Sequence, residues 1–159
     1  MLNKLLSWDE PVTGFFDWHD RVSGGLPPAA IQSTADALGV SVADICGLLK
    51  VSPSVLRPRS AKEAVEPLKP YPSDYLYRIA RAMTRLMLPL GKDPQACAQW
   101  LRSAQPSLKL RIPILLLSTT HGADAVFTAI ARMPLPAPRD PEPEHSGASA
   151  ADEHDAEEG

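Results

Sequence analysis

Apolar residues recur at helical spacing along the first third of the chain, and residues that begin or end helices bound each run. Residues 28–38 carry apolar side chains on one face and are followed by Gly39, which favours a helix stop. Ser41 is an N-cap residue before a second run, whose apolar face consists of Val42, Ile45, Leu48 and Leu49. A third run begins where Ser52-Pro53 combines a cap with a first-turn proline. The pattern predicts a helix, a tight turn and a helix.

Three further runs lie in the second half of the chain. Residues 73–90 form a long amphipathic stripe with apolar positions at Leu76, Ile79, Ala80, Met83, Leu86, Met87 and Leu90. Asp93-Pro94 pairs a cap with a proline and predicts the start of another helix. Residues 122–133 form the last predicted helix, because Pro134 follows them.

The composition favours short helices over a sheet, because 17 prolines against 9 glycines accompany few aromatic or β-branched runs. A chain of 159 residues is long enough for one domain of ordinary size, or for two small helical ones that share a core. We therefore predict an all-α fold with an N-terminal helix-turn-helix. The predicted domains are an aromatic N-terminal arm (1–25), a helix-turn-helix-like domain (26–70), a C-terminal helical domain (71–134) and an acidic tail (135–159).

The N-terminal arm interleaves aromatic and acidic residues. Its aromatic cluster of Trp8, Phe15, Phe16 and Trp18 is interrupted by Asp9, Glu10, Asp17 and Asp20. This pattern is typical of a docking arm or of a small helical flap. The sequence leaves open whether the arm packs against its own body or against a partner.

The formal net charge of −3 combines two unlike parts. Beyond Met133, Arg139 is the one base among eight acids: Asp140, Glu142, Glu144, Asp152, Glu153, Asp155, Glu157 and Glu158. The body before this tail is mildly basic, and such a surface suits a polyanion or an acidic partner. The tail is rich in Pro, Ala, Glu, Asp, Ser and Gly, so it buries too little apolar surface to order itself and is predicted to be disordered.

One face of the long predicted helix carries Arg78, Arg81 and Arg85 at spacings of three and four residues. Such a row of arginines is suited to contact with phosphates. A solvated helix face accounts for the same row more simply. The sequence leaves both interpretations open.

The sequence does not predict a membrane segment. The apolar pair Leu5-Leu6 is followed closely by Asp9 and Glu10, which excludes a signal-peptide core or a membrane span at this point. We therefore expect a cytoplasmic protein without a membrane partner.

Candidate catalytic chemistry is equally scarce. Cys46 and Cys97 form no C-x-x-C pair, so neither a disulfide framework nor a structural zinc site is predicted, and both thiols are expected to be buried. The four histidines are scattered along the chain, whereas a metal site needs several converging donors. No base accompanies the hydroxyls of residues 118–120. We expect no catalytic residue, no metal and no cofactor.

Residues 38–57 have the layout of a helix-turn-helix DNA reader, in which the second helix presents its first residues to base edges. The predicted DNA-binding residues are Ser52, Ser54, Val55, Arg57 and Arg59. Pro58 falls inside the reading helix and disfavours helical geometry at Arg57, so this helix is predicted to be curtailed. Two alternatives stay open: a DNA reader, and three packed helices that no longer bind DNA.

A dense motif lies between residues 100 and 122. Pro113 suits the first turn of a short helix, Thr119 or Thr120 caps the next helix, and Trp100 is expected to anchor the core of this half. In order, the motif reads Trp100-Leu101, Pro106-Ser107-Leu108 and Arg111-Ile112-Pro113-Ile114-Leu115-Leu116-Leu117-Ser118-Thr119-Thr120-His121-Gly122. With this motif, residues 38–133 resemble antitoxins of the Xre/MbcA/ParS type, which combine a helix-turn-helix with a C-terminal helical domain marked by W-L, P-x-L and R-x-P-x-x-L-L-x-T-x-x-G.

The resemblance implies an antitoxin that neutralises a cognate RES-domain toxin, a protein that consumes NAD or transfers its ADP-ribose, by covering the entrance to the nucleotide pocket. It also implies a homodimer that binds promoter DNA and represses its own operon. The toxin-binding residues carried over by the motif are Arg111, Pro113, Leu116, Thr119 and Gly122. Among them, Arg111 is expected to make the polar contact, and the others to shape the helical turn.

Two positions depart from the family pattern. Lys109-Leu110 stands where the family usually has a glycine pair before the arginine. Met133-Pro134 stands where a terminal glycine often closes the last helix. Both departures lie at the edges of the toxin-binding motif.

Two function classes follow from the sequence. The first is an interaction protein, an antitoxin with DNA binding as a second activity. The alternative is a stand-alone helix-turn-helix transcriptional regulator, suggested by the layout of residues 41–57. An enzyme ranks third, because the clustered acids, bases or nucleophiles that it would need are not found.

Overall fold

The computed structural model describes residues 1–7, 14–57 and 66–136, and within these ranges the chain is all-helical. Two 3-10 turns, Pro53–Leu56 and Pro106–Leu108, accompany eight α-helices. The helices are α1 (Leu2–Leu5), α2 (Phe15–Gly24), α3 (Ala29–Leu38), α4 (Val42–Leu49), α5 (Pro70–Leu86), α6 (Pro94–Arg102), α7 (Pro113–Leu116) and α8 (Thr120–Ala131). The predicted all-α fold with an N-terminal helix-turn-helix is confirmed. None of the helices in these ranges has the length and apolar character that crossing a bilayer requires.

Several predictions fall outside the described residues. Trp8, Pro58 and Arg59 belong to this group, as does the acidic tail from residue 137 onward. The disorder predicted for the tail therefore stays a prediction, and so do the domain boundaries.

The helices begin and end where the sequence places caps. Gly39 ends α3 in the left-handed region with φ of 62°. Ser41 begins α4 with a capping box, since its hydroxyl accepts from the Asp44 N–H and the Asp44 carboxylate accepts from the Ser41 N–H. The Ser41 hydroxyl also donates to the Asp44 carboxylate at 2.6 Å, and this hydrogen bond, followed by the one from the Ser41 N–H, lowers the pKa of Asp44. Asp93 caps α6 by accepting from two first-turn N–H groups.

The long amphipathic helix lies earlier in the chain than predicted. α5 spans Pro70–Leu86 rather than residues 73–90, because Pro70 occupies its first turn. Ser73, predicted to stand at the helix start, is instead buried within the first turn. Its hydroxyl donates to the Lys69 carbonyl and accepts from the Leu26 N–H, each at 2.9 Å. The predicted start was therefore wrong.

The buried apolar residues form one cluster that includes side chains from α1 to α8. Leu5 and Leu6 belong to it, and the Trp18 and Tyr77 ring centroids lie 5.4 Å apart where α2 packs on α5. The described part of the N-terminal arm therefore packs against its own body at Trp18, whereas Phe16 is 79% exposed and Trp8 lies outside the described residues. Leu101 is fully buried while Trp100 is only half-buried, so the leucine rather than the predicted tryptophan anchors this part of the core.

Candidate functional site

The motif of residues 100–122 folds into a closed loop followed by two helices. The Gln105 N–H donates to the Arg111 carbonyl at 3.1 Å, and the Leu110 N–H donates back to the Gln105 carbonyl at 2.9 Å. The Gln105 side-chain amide also donates to the Trp100 carbonyl at 2.8 Å, which ties the loop to the end of α6. Buried Leu108 holds the loop on the core. The loop is therefore held in place by hydrogen bonds at its base and by one buried side chain on the core.

The tip of this loop has unusual backbone geometry. Lys109 and Leu110 both adopt positive φ, at 54° and 60°. This left-handed region is unfavourable for residues with a Cβ and is where glycine is normally used. Lys109-Leu110, which stands where the resembled family is expected to have a glycine pair, therefore holds a backbone conformation that glycine would adopt more easily. Leu110 is 70% exposed as a consequence of its place at the tip.

A glycine in place of Lys109 is expected to relieve backbone strain at the loop tip. Lys109→Gly should stabilise the chain by about 1 kcal/mol, because the left-handed backbone no longer carries a Cβ. Urea unfolding followed by circular dichroism measures the change. The matched control is Lys4→Gly in α1, which should destabilise, since glycine weakens a helix. A destabilising Lys109→Gly would contradict the assignment of strain to this turn.

The residues after the loop form α7 and lead directly into α8. Pro113 begins α7, as predicted, and the Ile114 carbonyl accepts from the buried Tyr75 hydroxyl at 2.7 Å. Thr119, one of the two predicted caps, begins α8 by accepting from the Gly122 N–H at 3.1 Å. Gly122 packs so closely on α7 that a Cβ there would clash with the Leu116 carbonyl oxygen. The spacing of Pro113, Thr119 and Gly122 in the sequence thus holds α7 and α8 together as one corner of the fold.

The five predicted toxin-binding residues lie together on this corner but differ in exposure. Arg111 and Thr119 are exposed, Leu116 and Gly122 are half-buried, and Pro113 is buried. Their contact with a toxin is a prediction, and their packing supports the expected division between a polar contact at Arg111 and shaping roles for the rest.

Two exposed leucines in the same stretch of chain as Arg111 were not predicted as site residues. Leu110 lies at the loop tip, and Leu115 is 51% exposed although it belongs to an apolar run of four. A helix of a single turn cannot bury four consecutive side chains against one neighbour. The length of that apolar run was therefore the sequence signal that one of its residues is exposed. We refer to Leu110, Arg111 and Leu115 as the corner surface.

The predicted DNA-binding residues form a second candidate site, which follows α4 in the chain. Lys50 ends α4 in the left-handed region, and Ser52 caps the 3-10 turn Pro53–Leu56 by accepting from the Ser54 N–H. Among the described residues of this set, Ser52, Ser54 and Arg57 are exposed and Val55 is half-buried. Arg57 has extended backbone, as Pro58 predicts. The structure thus brings these four residues onto one turn, while Arg59 lies outside the described residues.

The arginine row on α5 borders a groove between α5 and α8 of about 630 Å³. Arg78 forms a salt bridge with Asp74 at 2.6 Å and donates weakly to the Thr120 hydroxyl at 3.4 Å. The Arg81 and Arg85 guanidinium carbons each lie 4.8 Å from the centre of the Phe127 ring. Phe127 is therefore half-buried beneath two cations, rather than in the core as the helical pattern suggests.

Thiol chemistry is disfavoured at both cysteines. Cys46 and Cys97 are buried, as predicted, and burial raises the pKa of each thiol. Among the described residues, no three His, Cys, Asp or Glu side chains gather as metal ligands would.

Residues 17–81 match the family described as the antitoxin Xre-like helix-turn-helix domain. No curated protein shows significant sequence similarity to the chain. The matched region contains α3, α4 and the turn Pro53–Leu56, together with nearly all of α2 and most of α5. Over residues 17–81 the chain is therefore similar to an antitoxin helix-turn-helix domain, a regulatory class of domain rather than a class of enzyme.

Proposed function

We propose that this protein is an antitoxin that neutralises a RES-domain, NAD-consuming toxin by covering the entrance to its nucleotide pocket. The observation that carries the proposal is the corner surface. It presents two exposed leucines and an arginine on a backbone that is held rigidly from both sides. The antitoxin helix-turn-helix match supports the general class, and the motif of residues 100–122 supports the choice of toxin.

The backbone strain at the loop tip favours a binding role for Leu110. Single exposed leucines are common on protein surfaces and need no explanation. Here, however, a large apolar residue is kept at 70% exposure in a conformation that glycine would adopt more easily. Strain of this kind persists where the side chain has a functional role. Burial of a leucine against a partner contributes about 1.5–3 kcal/mol to binding.

Arg111 supplies the polar part of the proposed contact. Its backbone is fixed by the hydrogen bonds with Gln105 and Leu108, while its side chain is exposed. Arginine donates through a rigid planar group that suits carboxylates and phosphates, and it is enriched at the centres of protein interfaces. Pro113, Leu116, Thr119 and Gly122 are proposed to hold this arginine and its neighbouring leucines in place.

The test begins by reading the gene adjacent to this chain, which is expected to encode a RES-domain protein. Co-expression is expected to restore growth, and the two proteins should co-purify. Leu110→Asp and Arg111→Glu should each weaken toxin binding at least tenfold in titration calorimetry, because each removes a contact and introduces a negative charge. Leu88→Asp is the matched control, since Leu88 is similarly exposed but lies after α5. A toxin that is equally lethal with and without this chain would refute the proposal.

Repression through the helix-turn-helix is the second proposed activity, and the exposed turn Ser52–Arg57 favours it. A homodimer would place two such turns on a promoter with two half-sites. Arg57→Ala should weaken binding to the upstream promoter several-fold and reduce its salt dependence, as loss of a phosphate contact does. Arg111→Ala serves as the charge-matched control. A wild-type chain that shifts no promoter fragment at low salt would exclude repression, whereas promoter binding without toxin binding would favour the stand-alone regulator.

A further inference from the structure

The groove between α5 and α8 has no role in the functions proposed above. Its α5 wall carries Arg78, Arg81 and Arg85, and its α8 wall includes Phe127 and extends to Ala131 at the end of the helix. A smaller groove of about 310 Å³ adjoins it and shares Asp74, Tyr77 and Arg81. Together the two form a continuous channel with a basic centre.

The charges in this channel are incompletely balanced. Arg78 is paired with Asp74, whereas the described residues place no carboxylate within salt-bridge distance of Arg81 or Arg85. These two guanidinium groups share one aromatic ring, so they repel each other while the ring attracts both. Burial and the neighbouring Arg81 charge both lower the pKa of Arg85. Asp124 also lines the groove without pairing with either group. A bound anion would relieve this repulsion.

We propose that the acidic tail of the same chain, residues 137–159, binds in this groove and pairs with Arg81 and Arg85. Charge complementarity supports this occupant, because the segment contains eight acids and a single arginine. Its attachment point supports it as well. The tail follows α8, and Ala131 at the end of α8 is itself part of the groove lining.

The length of the connection allows the tail to return along the groove. Asp140 lies nine residues beyond Ala131, and an extended chain of that length spans roughly 30 Å. The twelve-residue helix α8 is only about 18 Å long. Because the tail is tethered, its effective concentration at the groove is in the millimolar range. Bound there, the tail shields the basic face of α5 from other polyanions. The inference is independent of the antitoxin role.

Paramagnetic NMR on the full-length chain tests this contact. A nitroxide is attached to the variant Ser149→Cys, since both native cysteines are buried. At low salt, the amide signals of Thr120, Asp124 and Thr128 should lose at least half of their intensity, while amides of α4 keep theirs. About 0.5 M salt should restore the lost signals, because it shortens the Debye length to a few ångströms and so screens the attraction between the tail and the groove.

Two kinds of variant make the test specific. Arg81→Gln combined with Arg85→Gln should abolish the effect, and Lys4→Gln combined with Arg57→Gln, which removes two exposed charges elsewhere, should preserve it. Neutralising all eight tail acids, from Asp140 to Glu158, to their amides should also abolish it without touching the folded body.

Several outcomes would overturn the inference. One is full intensity at the groove amides of the wild-type chain at low salt. Another is broadening that appears only when spin-labelled and isotope-labelled chains are mixed, since that would assign the groove to the tail of a second copy. A third is displacement of the groove signals by duplex DNA with no effect of the tail, which would make this face a nucleic-acid surface.

Discussion

Gly122→Ala is expected to destabilise the protein by about 3 kcal/mol, in the range of severe overpacking. A Cβ at this position would lie 2.8 Å from the Leu116 carbonyl carbon and 2.9 Å from the Thr119 hydroxyl oxygen. The first of these groups is backbone, so it cannot move aside without shifting α7. Relief therefore requires α7 and α8 to separate, which also disturbs the cap of α8.

Gly47→Ala is the matched control for this substitution. Gly47 lies inside α4, and a Cβ there would meet no atom within 4 Å. Alanine should therefore stabilise by roughly 0.5–1 kcal/mol, because it loses less backbone entropy in a helix than glycine does. Chemical unfolding of both variants measures the contrast. Equal effects at the two glycines would show that the packing of α7 on α8 is looser than the structure indicates.

The same substitution links stability to the proposed function. If the corner holds Arg111 and Leu115 in position, Gly122→Ala should weaken toxin binding even at temperatures where the chain stays folded. Toxin binding that is unchanged in a folded Gly122→Ala protein would assign the contact to another surface.

Local signals in the sequence predicted much of this fold. Gly39, Ser41, Asp93 and Thr119 act over a few residues, so their capping roles follow from the sequence alone. The predicted start of α5 at Ser73 was wrong although Pro70 was a local helix-start signal, because the place of Ser73 inside the helix depends on a distant contact. Ser73 receives a hydrogen bond from the Leu26 N–H, 47 positions away along the chain.

The candidate sites show the same division. Arg111 and Gly122 were predicted because they belong to a spaced motif. Leu110 and Leu115 were missed, since leucines in general are expected inside the core, and only the tertiary packing shows which of them face outward. The stacking of two arginines on Phe127 was likewise hidden, because it joins helices that are separated in sequence.

Tyr75→Phe is expected to destabilise the protein by about 2 kcal/mol, because it withdraws a donor from a buried carbonyl. The Tyr75 hydroxyl donates to the Ile114 carbonyl at 2.7 Å and thereby fastens α7 to α5. Tyr71→Phe is the control, since Tyr71 is 49% exposed and its loss should change stability by less than about 0.5 kcal/mol. Equal unfolding midpoints for the two variants would contradict a structural role for the buried hydroxyl.

Alkaline pH provides a second measurement of the same contact. Burial, and then the nearby Tyr71, raise the pKa of Tyr75 from 10.0 to about 12. Because the folded state holds this proton more tightly than the unfolded state, the contribution is complete below pH 10 and is lost as the pH rises toward about 12. Tyr75→Phe should therefore flatten the decline of unfolding free energy over this interval, whereas Tyr71→Phe should leave most of it. A decline of equal steepness in wild type and Tyr75→Phe would place the alkaline sensitivity elsewhere in the chain.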